Sequence, residues 1–385
     1  MPHPAYLHIG PPKTGSTYVQ QLLWLNRDHL LAQGILYPAR NRAHHFQAAG
    51  DVVDHGAMNA SKADLAGRWQ DLCSLAAAHD GPVVISHELF SAATADNVRT
   101  VVGDLADREL HVLFTARNVR ALFESRFQEG FKNGRTWTAE EFVERSLRSQ
   151  DSSELHVGRS GKALRTWAQA VPPERFHVIT MPPPGSPRTL LFDRFCSVIG
   201  FDTTDAVLET SRVNESIGAV EAELLRRIAS RPGADWSPSA QLYLKHDFVP
   251  RVLAGRKGQR RISFCDPEVL RALREQTRLM VALIEELGLH VVGDLAELEA
   301  AQSALPTAAE GAESTDVSDA ELVEVALEGL RWFARNTSEL EAERKLLKKQ
   351  VRRLQAARTK HTDLISTLRA ARQELRDRLS AVQRG

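Results

Sequence analysis

The sequence predicts an α/β protein with a three-layer parallel sheet, followed by a C-terminal helical extension. Short β-branched runs alternate with helical patterns over residues 1–300, and this alternation is typical of a parallel sheet covered on both faces. A proline-free heptad repeat near the C-terminus predicts the extension. We therefore divide the chain into a domain over 1–300, a linker over 301–320 and a helical or coiled-coil segment over 321–385.

Composition and charge are those of an ordinary globular protein. The 385 residues are 43% hydrophobic and 25% charged, and 49 Lys+Arg balance 49 Asp+Glu, so no global field favours nucleic acid. No apolar run has the length of a membrane span, and the N-terminus lacks the pattern of a signal peptide. Three widely separated cysteines indicate free thiols in a reducing compartment. We expect a cytoplasmic protein with no membrane span and no nucleic-acid partner.

The most informative segment is residues 10–17, which follow the apolar lead Tyr6, Leu7 and Ile9 and run into an amphipathic helical pattern. This order predicts a strand, a glycine-containing turn and a helix. Such a turn directs backbone N–H groups and the positive end of a helix dipole at one point, which suits a phosphate. We assign phosphate binding to the following residues of this turn: Pro12, Lys13, Thr14, Gly15, Ser16 and Thr17.

The position of the lysine distinguishes this turn from a nucleoside-triphosphate loop. That loop reads G-x-x-x-x-G-K-[ST]. Gly10 and Gly15 have its spacing, but Ser16 stands in the lysine position and the lysine lies inside the turn as Lys13. Pro11 and its neighbour have no N–H group, so the backbone donors come from Lys13 onward. The turn therefore favours a phosphate ligand other than a triphosphate.

Three further apolar runs predict strands at 82–86, 110–115 and 176–180, separated by helical patterns such as 63–78 and 140–149. Right-handed crossovers bring the carboxyl ends of such strands to one edge of the sheet, where ligands bind. The second strand thereby delivers Ser86-His87-Glu88 to this edge.

Arg117 and Ser125 follow the third strand, eight residues apart. An arginine at a strand end and a serine two helical turns later can face one point. The planar guanidinium suits a phosphate monoester, and the hydroxyl adds a directed donor. Taken alone, the pair is more typical of an exposed arginine and a capping serine; beside the first turn it favours a second phosphate site.

Together these segments resemble the PAPS-dependent sulfotransferases, in particular bacterial and carbohydrate-modifying members (PAPS is 3′-phosphoadenosine 5′-phosphosulfate). The first turn is similar to their 5′-phosphosulfate loop, P-K-[TS]-G-[ST]-[ST]. The second segment is similar to their R-[DN]-P-x-x-x-x-x-S segment, which holds the 3′-phosphate, although Val119 replaces the proline. A weaker similarity links a basic turn to the R-K-G loop of cytosolic members, without the G-x-x-G-D-W that follows there: Arg256, Lys257 and Gly258. The resemblance covers about residues 5–295.

The resemblance implies a P-loop-type fold and transfer of the sulfuryl group of PAPS to an acceptor hydroxyl, with a carbohydrate favoured over a small phenol. Lys13 would stabilise the leaving bisphosphate. Glu88 is the first choice for the base that activates the acceptor, and His87 is the second. No metal is expected. His44 and His45, with His55, favour a polar loop over a metal site.

Two other interpretations stay open. A P-loop kinase of small metabolites would carry lysine at position 16 and an aspartate at a strand end for magnesium, and Ser16 and Ser86-His87-Glu88 count against it. A non-enzymatic protein would use the C-terminal helix for interaction and keep a degenerate nucleotide-binding domain. The intact Lys13, Arg117 and Ser125 argue against degeneracy.

The C-terminal repeat predicts self-association. Every seventh residue from Leu340 to Val382 is apolar except His361, and the second seam alternates arginine with apolar residues. A leucine position with a half-charged second seam is typical of a weakened two-stranded coiled coil. A solvated helical extension is the alternative, and the segment's basic charge also fits an acidic partner.

Overall fold

The structure is a computed structural model, and it describes residues 2–53, 62–148, 156–209, 216–231, 237–303 and 317–382. The chain divides into two compact units, Met1–Leu322 and Val323–Gly385. The predicted linker falls largely on residues 304–316, which lie outside the described residues. No helix among the described residues is long and apolar enough to cross a membrane.

The first unit is built around a five-stranded sheet in which every pair of neighbouring strands is parallel. The strand order is β2-β1-β3-β4-β5, so β1 and β3 are central. The predicted α/β class and parallel sheet are confirmed, and four of the strands lie where the apolar runs place them. The strands are β1 (Pro4–Gly10), β2 (Val83–Ser86), β3 (Glu109–Ala116), β4 (Phe176–Thr180) and β5 (His290–Val292).

Helices connect the strands. They are α1 (Ser16–Leu25), α2 (Arg27–Ala32), α3 (His44–Val52), α4 (Lys62–Leu65), α5 (Arg68–Ala77), α6 (Ala95–Asp104), α7 (Val119–Lys132), α8 (Ala139–Val143), α9 (His156–Ala168), α10 (Leu190–Ile199), α11 (Ala219–Ala229), α12 (Pro238–Tyr243), α13 (Pro267–Glu286) and α14 (Ala296–Ser303). The helix predicted over 63–78 is interrupted at Gly67, which has a φ of 80°. The helix predicted over 140–149 continues from α8 as a π-helical turn, Glu144–Arg148.

Both faces of the sheet are buried. Successive strand residues point to opposite faces. On one face Val84, Leu113 and Ile179 pack with apolar residues of α1, α2 and α10, among them Val19, Leu22, Leu23, Leu30, Leu191, Phe192 and Phe195. The residues that alternate with them along β3 and β4 are also fully buried, namely Val112, Phe114 and Val178, and so are Leu7 and Ile9 of β1. Burial on both faces explains why these strands read as apolar runs rather than as alternating patterns.

The second unit is occupied by the long helix α15 (Asp319–Val382), which begins in the last residues of the first unit. The predicted C-terminal helix is therefore confirmed. Several large apolar side chains of this helix are exposed: Val323, Leu327, Leu330, Leu340, Leu346, Leu347 and Val351. A paired coiled coil remains a prediction.

Candidate active site

The turn after β1 has a left-handed backbone at Gly10 (φ 80°), Lys13 (φ 71°) and Gly15 (φ 88°). The pairing of β1 with β3 shifts register between His8 and Gly10, so the turn begins with a bulge. A Cβ atom at Gly10 would lie 2.6 Å from the Cβ atom of Glu88. Glycine therefore lets the backbone of the turn contact Glu88, which joins the turn and the end of β2 in one site.

Thr14 anchors the turn to the sheet. It is fully buried, and its Oγ1 donates to the carbonyl oxygen of Pro11 at 2.6 Å and contacts Oγ1 of Thr115 in β3. Gly15 precedes α1 without a side-chain cap, and the first turn of α1 carries no acidic residue. The N–H groups that a helix N-terminus leaves unpaired suit an anion here. The other predicted residues of the turn are buried or half-buried: Pro12, Ser16 and Thr17.

The ammonium group of Lys13 contacts a carboxylate on α7. Its Nζ lies 2.7 Å from Oε2 of Glu129, and Oε1 of Glu129 lies 2.8 Å from Nζ of Lys245, in the π-helical segment Leu244–Leu253. Burial raises the pKa of Glu129, but the two lysines outweigh burial and lower it to about 2. Glu129 is therefore ionised at neutral pH and neutralises part of the lysine charge.

Arg117 is brought to the same turn. Its Nη1 donates to the carbonyl oxygen of Lys13 at 2.7 Å. Burial and the positive charge of Arg261 lower the pKa of Arg117, whereas Glu124 opposes them. Nη2 of Arg261 in turn lies 3.5 Å from Oε2 of Glu124. Ser125 lies half-buried on α7, next to Glu124. Lys13 and Arg117, one residue from each of the first two sequence signals, therefore meet at the carboxyl edge of the sheet.

Glu88 and His87 follow β2, and Glu88 begins the 3-10 turn Glu88–Ala92. Oε2 of Glu88 accepts a hydrogen bond from Gln20 of α1 at 2.8 Å and lies 3.9 Å from Nε2 of His87. Burial raises the pKa of Glu88, but His87 and Gln20 outweigh it, and the net pKa is lowered. Burial lowers the pKa of His87, against the effect of Glu88. Each group can therefore accept a proton at neutral pH.

A buried histidine, His45, forms a hydrogen bond to the last residue of β2. Nδ1 of His45 accepts a hydrogen bond from the backbone N–H of Ser86 at 3.0 Å, so its Nε2 donates to the carbonyl oxygen of Pro38, at 2.8 Å. His44 and His45 are buried in the first turn of α3, so the expectation of a polar loop is wrong. The hydrogen bonds of His45 explain its burial. His55 lies outside the described residues.

In the third predicted segment, the arginine forms an ion pair with a residue of α11. Nη1 of Arg256 lies 2.6 Å from Oε1 of Glu221, a buried carboxylate on α11. Lys257 and Gly258 are exposed, and Gly258 has a φ of 77°. The charge of Arg256 is thus already paired, whereas Arg261, which sequence reasoning did not select, interacts electrostatically with Arg117.

Comparisons with known proteins give no match for this chain. The sequence matches no protein-family model. No curated protein and no solved structure is significantly similar to it. Within the described ranges, no group of three or more histidine, cysteine, aspartate or glutamate side chains is arranged to hold a metal ion. Inference about function therefore depends on the site itself.

Proposed function

We propose that the protein is a PAPS-dependent sulfotransferase that transfers a sulfuryl group to an acceptor hydroxyl, with a carbohydrate favoured as the acceptor. The observation that carries the proposal is the pairing of the first two signals: the guanidinium of Arg117 binds the backbone of Lys13 itself, at 2.7 Å. A turn with one ammonium group, one guanidinium group and an uncapped helix N-terminus suits a ligand with anionic groups at two places.

In this function the turn stabilises the leaving group. Sulfuryl transfer, like phosphoryl transfer, depends mainly on positioning and charge stabilisation. As the bond between sulfur and the bridging oxygen breaks, negative charge develops on that oxygen. Lys13 and the backbone N–H groups from Thr14 to Thr17 meet this charge. Arg117 and Ser125 hold the 3′-phosphate of the donor.

Glu88 acts as the base. Its lowered pKa keeps it ionised at neutral pH, and about a quarter of its side chain is exposed, 24%, so a hydroxyl can approach it. The proton of the acceptor hydroxyl passes to the carboxylate as the oxygen–sulfur bond forms. His87, 3.9 Å from the same carboxylate, is the second candidate for this role.

Calorimetry with 3′,5′-adenosine bisphosphate and with ATP plus magnesium tests the proposal. We expect the wild type to bind the bisphosphate and Lys13→Ala to bind it at least tenfold more weakly, because a charge-assisted contact is lost. Lys162→Ala is the control, because Lys162 is exposed on α9. A preference of the wild type for magnesium ATP would favour a kinase and refute the proposal.

An activity assay separates an enzyme from a degenerate nucleotide-binding domain. With radiolabelled PAPS and a panel of hydroxylated acceptors, we expect transfer by the wild type and a loss of about a hundredfold or more in Glu88→Gln, as is typical when a general base is removed. Bisphosphate binding should survive in Glu88→Gln. Binding without transfer to any acceptor would support the non-enzymatic alternative.

A further inference from the structure

Four charged side chains form a cluster around Glu129, which we call the Glu129 cluster: Glu129, Lys13, Lys132 and Lys245. Each carboxylate oxygen of Glu129 contacts one ammonium group: Oε2 lies 2.7 Å from Nζ of Lys13, and Oε1 lies 2.8 Å from Nζ of Lys245. Nζ of Lys245 also donates to Oδ1 of Asn133 at 2.9 Å. Both oxygens of the carboxylate therefore already contact a lysine other than Lys132.

Lys132 supplies an excess of positive charge. It is half-buried in the last turn of α7, three residues after Glu129, so the two side chains lie on the same face of the helix. Among the described residues, no salt bridge joins Lys132 to a carboxylate. Burial lowers the pKa of Lys132, and the charges of Lys13 and Lys245 lower it further, against the effect of Glu129. Among the described residues, three lysines share one carboxylate in this cluster, which leaves an excess of positive charge. A second anion at this place would relieve their repulsion.

We propose that Lys132 and Lys245 form an anion subsite next to Lys13 that binds a carboxylate or sulfate group carried by the acceptor. The inference rests on the proposed function, since it assigns Lys13 to the transferring group. The anionic groups of the donor already have Lys13, Arg117 and the backbone of the turn. Lys132 lies in the last turn of α7, about 10 Å along the helix from Ser125, and Lys245 lies in the π-helical segment. Neither is among the residues assigned to the donor. The acceptor is then an acidic hydroxyl compound rather than a neutral one.

Two matched probes test the charge requirement. One is the trimer of galacturonate, and the other is its methyl ester, which has the same ring hydroxyls without the charge. Each is titrated calorimetrically, at low ionic strength, into the protein saturated with 3′,5′-adenosine bisphosphate. The variants are Lys132→Gln and Lys245→Gln. The control is Lys162→Gln, which removes one positive charge from the exposed surface of α9.

We expect the wild type and Lys162→Gln to bind the galacturonate trimer alike. Lys132→Gln and Lys245→Gln should bind it about tenfold more weakly or worse, as the loss of a charge-assisted contact implies. The methyl ester should bind weakly to all four proteins. Equal binding of the trimer by wild type and Lys132→Gln, or no binding by wild type, would overturn the subsite.

A separate titration with the bisphosphate alone distinguishes the possible sources of the anion. We expect Lys132→Gln to bind the bisphosphate within about twofold of wild type, because its ammonium serves the acceptor. A tenfold loss in Lys132→Gln would assign Lys132 to the donor and overturn the proposal. Failure of the wild type to bind the bisphosphate would instead refute the proposed function, and with it the assignment of the subsite to an acceptor.

Discussion

Replacing Glu129 with glutamine should destabilise the first unit in a pH-dependent manner. Burial raises the pKa of Glu129, but Lys13 and Lys245 lower it from 4.5 to about 2. This difference corresponds to about 3 kcal/mol of preference for the ionised carboxylate in the folded state. The side chain is 21% exposed, so solvent screens part of the effect, and we expect a loss of about 1–2 kcal/mol for Glu129→Gln near neutral pH.

The sign of the pH dependence follows from the lowered pKa. The stabilisation is fully present above the unfolded value of 4.5 and is lost as the pH falls through the folded value of about 2. The difference in free energy of unfolding between wild type and Glu129→Gln should therefore be largest near neutral pH. It should shrink below about pH 4.

Urea unfolding at a series of pH values, followed by tryptophan fluorescence, measures this difference, because Trp69 and Trp167 are fully buried in the first unit. Glu174→Gln is the matched control, since Glu174 is exposed in the turn before β4. Unfolding free energies that differ by the same amount at every pH, or a Glu129→Gln variant as stable as Glu174→Gln near neutral pH, would refute the electrostatic role of the cluster.

Three further predictions concern other parts of the chain. Gly10→Ala should destabilise the protein in thermal unfolding by about 1 kcal/mol or more beyond Gly34→Ala, because both have a φ near 80° but only the Cβ at Gly10 would meet another side chain, Glu88; equal effects would contradict the close approach. Gln20→Ala should move the acid limb of the pH–rate profile to higher pH, because the hydrogen bond of Gln20 lowers the pKa of Glu88; an unmoved limb would exclude Glu88 as the titrating base. Truncation after residue 322 should reduce the mass measured by light scattering to that of a monomer if α15 pairs with a second copy; an unchanged oligomeric state would exclude the coiled coil.

The strands and the edge of the sheet could be predicted from the sequence because burial on both faces leaves a local signal. Leu110 to Thr115 is a run of apolar and β-branched residues for this reason, and its carboxyl end necessarily lies beside that of β1. The last strand, β5, has three residues with His290 exposed, so no apolar run marks it. The π-helical segments likewise leave no periodic signal.

The partners of the predicted residues could not be read from the sequence. Lys13 and Glu129 are 116 residues apart, and no local pattern indicates which of 49 acidic residues meets which lysine. Gln20 differs from these residues because its position near Glu88 follows from the predicted elements. It lies on α1, the helix that follows the turn, and Glu88 follows β2 at the same edge of the sheet. A search for polar residues on that helix face could have selected Gln20.

Lys13 combines a strained backbone conformation with a charged side chain. Among the described residues it is the one non-glycine residue with a positive φ, 71°, a conformation that costs about 1–2 kcal/mol for a residue with a Cβ. Two contacts offset this cost: Arg117 binds its carbonyl oxygen, and Glu129 binds its ammonium group. Glycine at this position would relieve the strain and keep the first contact, but it would lose the ion pair with Glu129. The side chain of Lys13 therefore brings a positive charge to the turn, where it pairs with Glu129 in the structure and where the donor anion is proposed to bind.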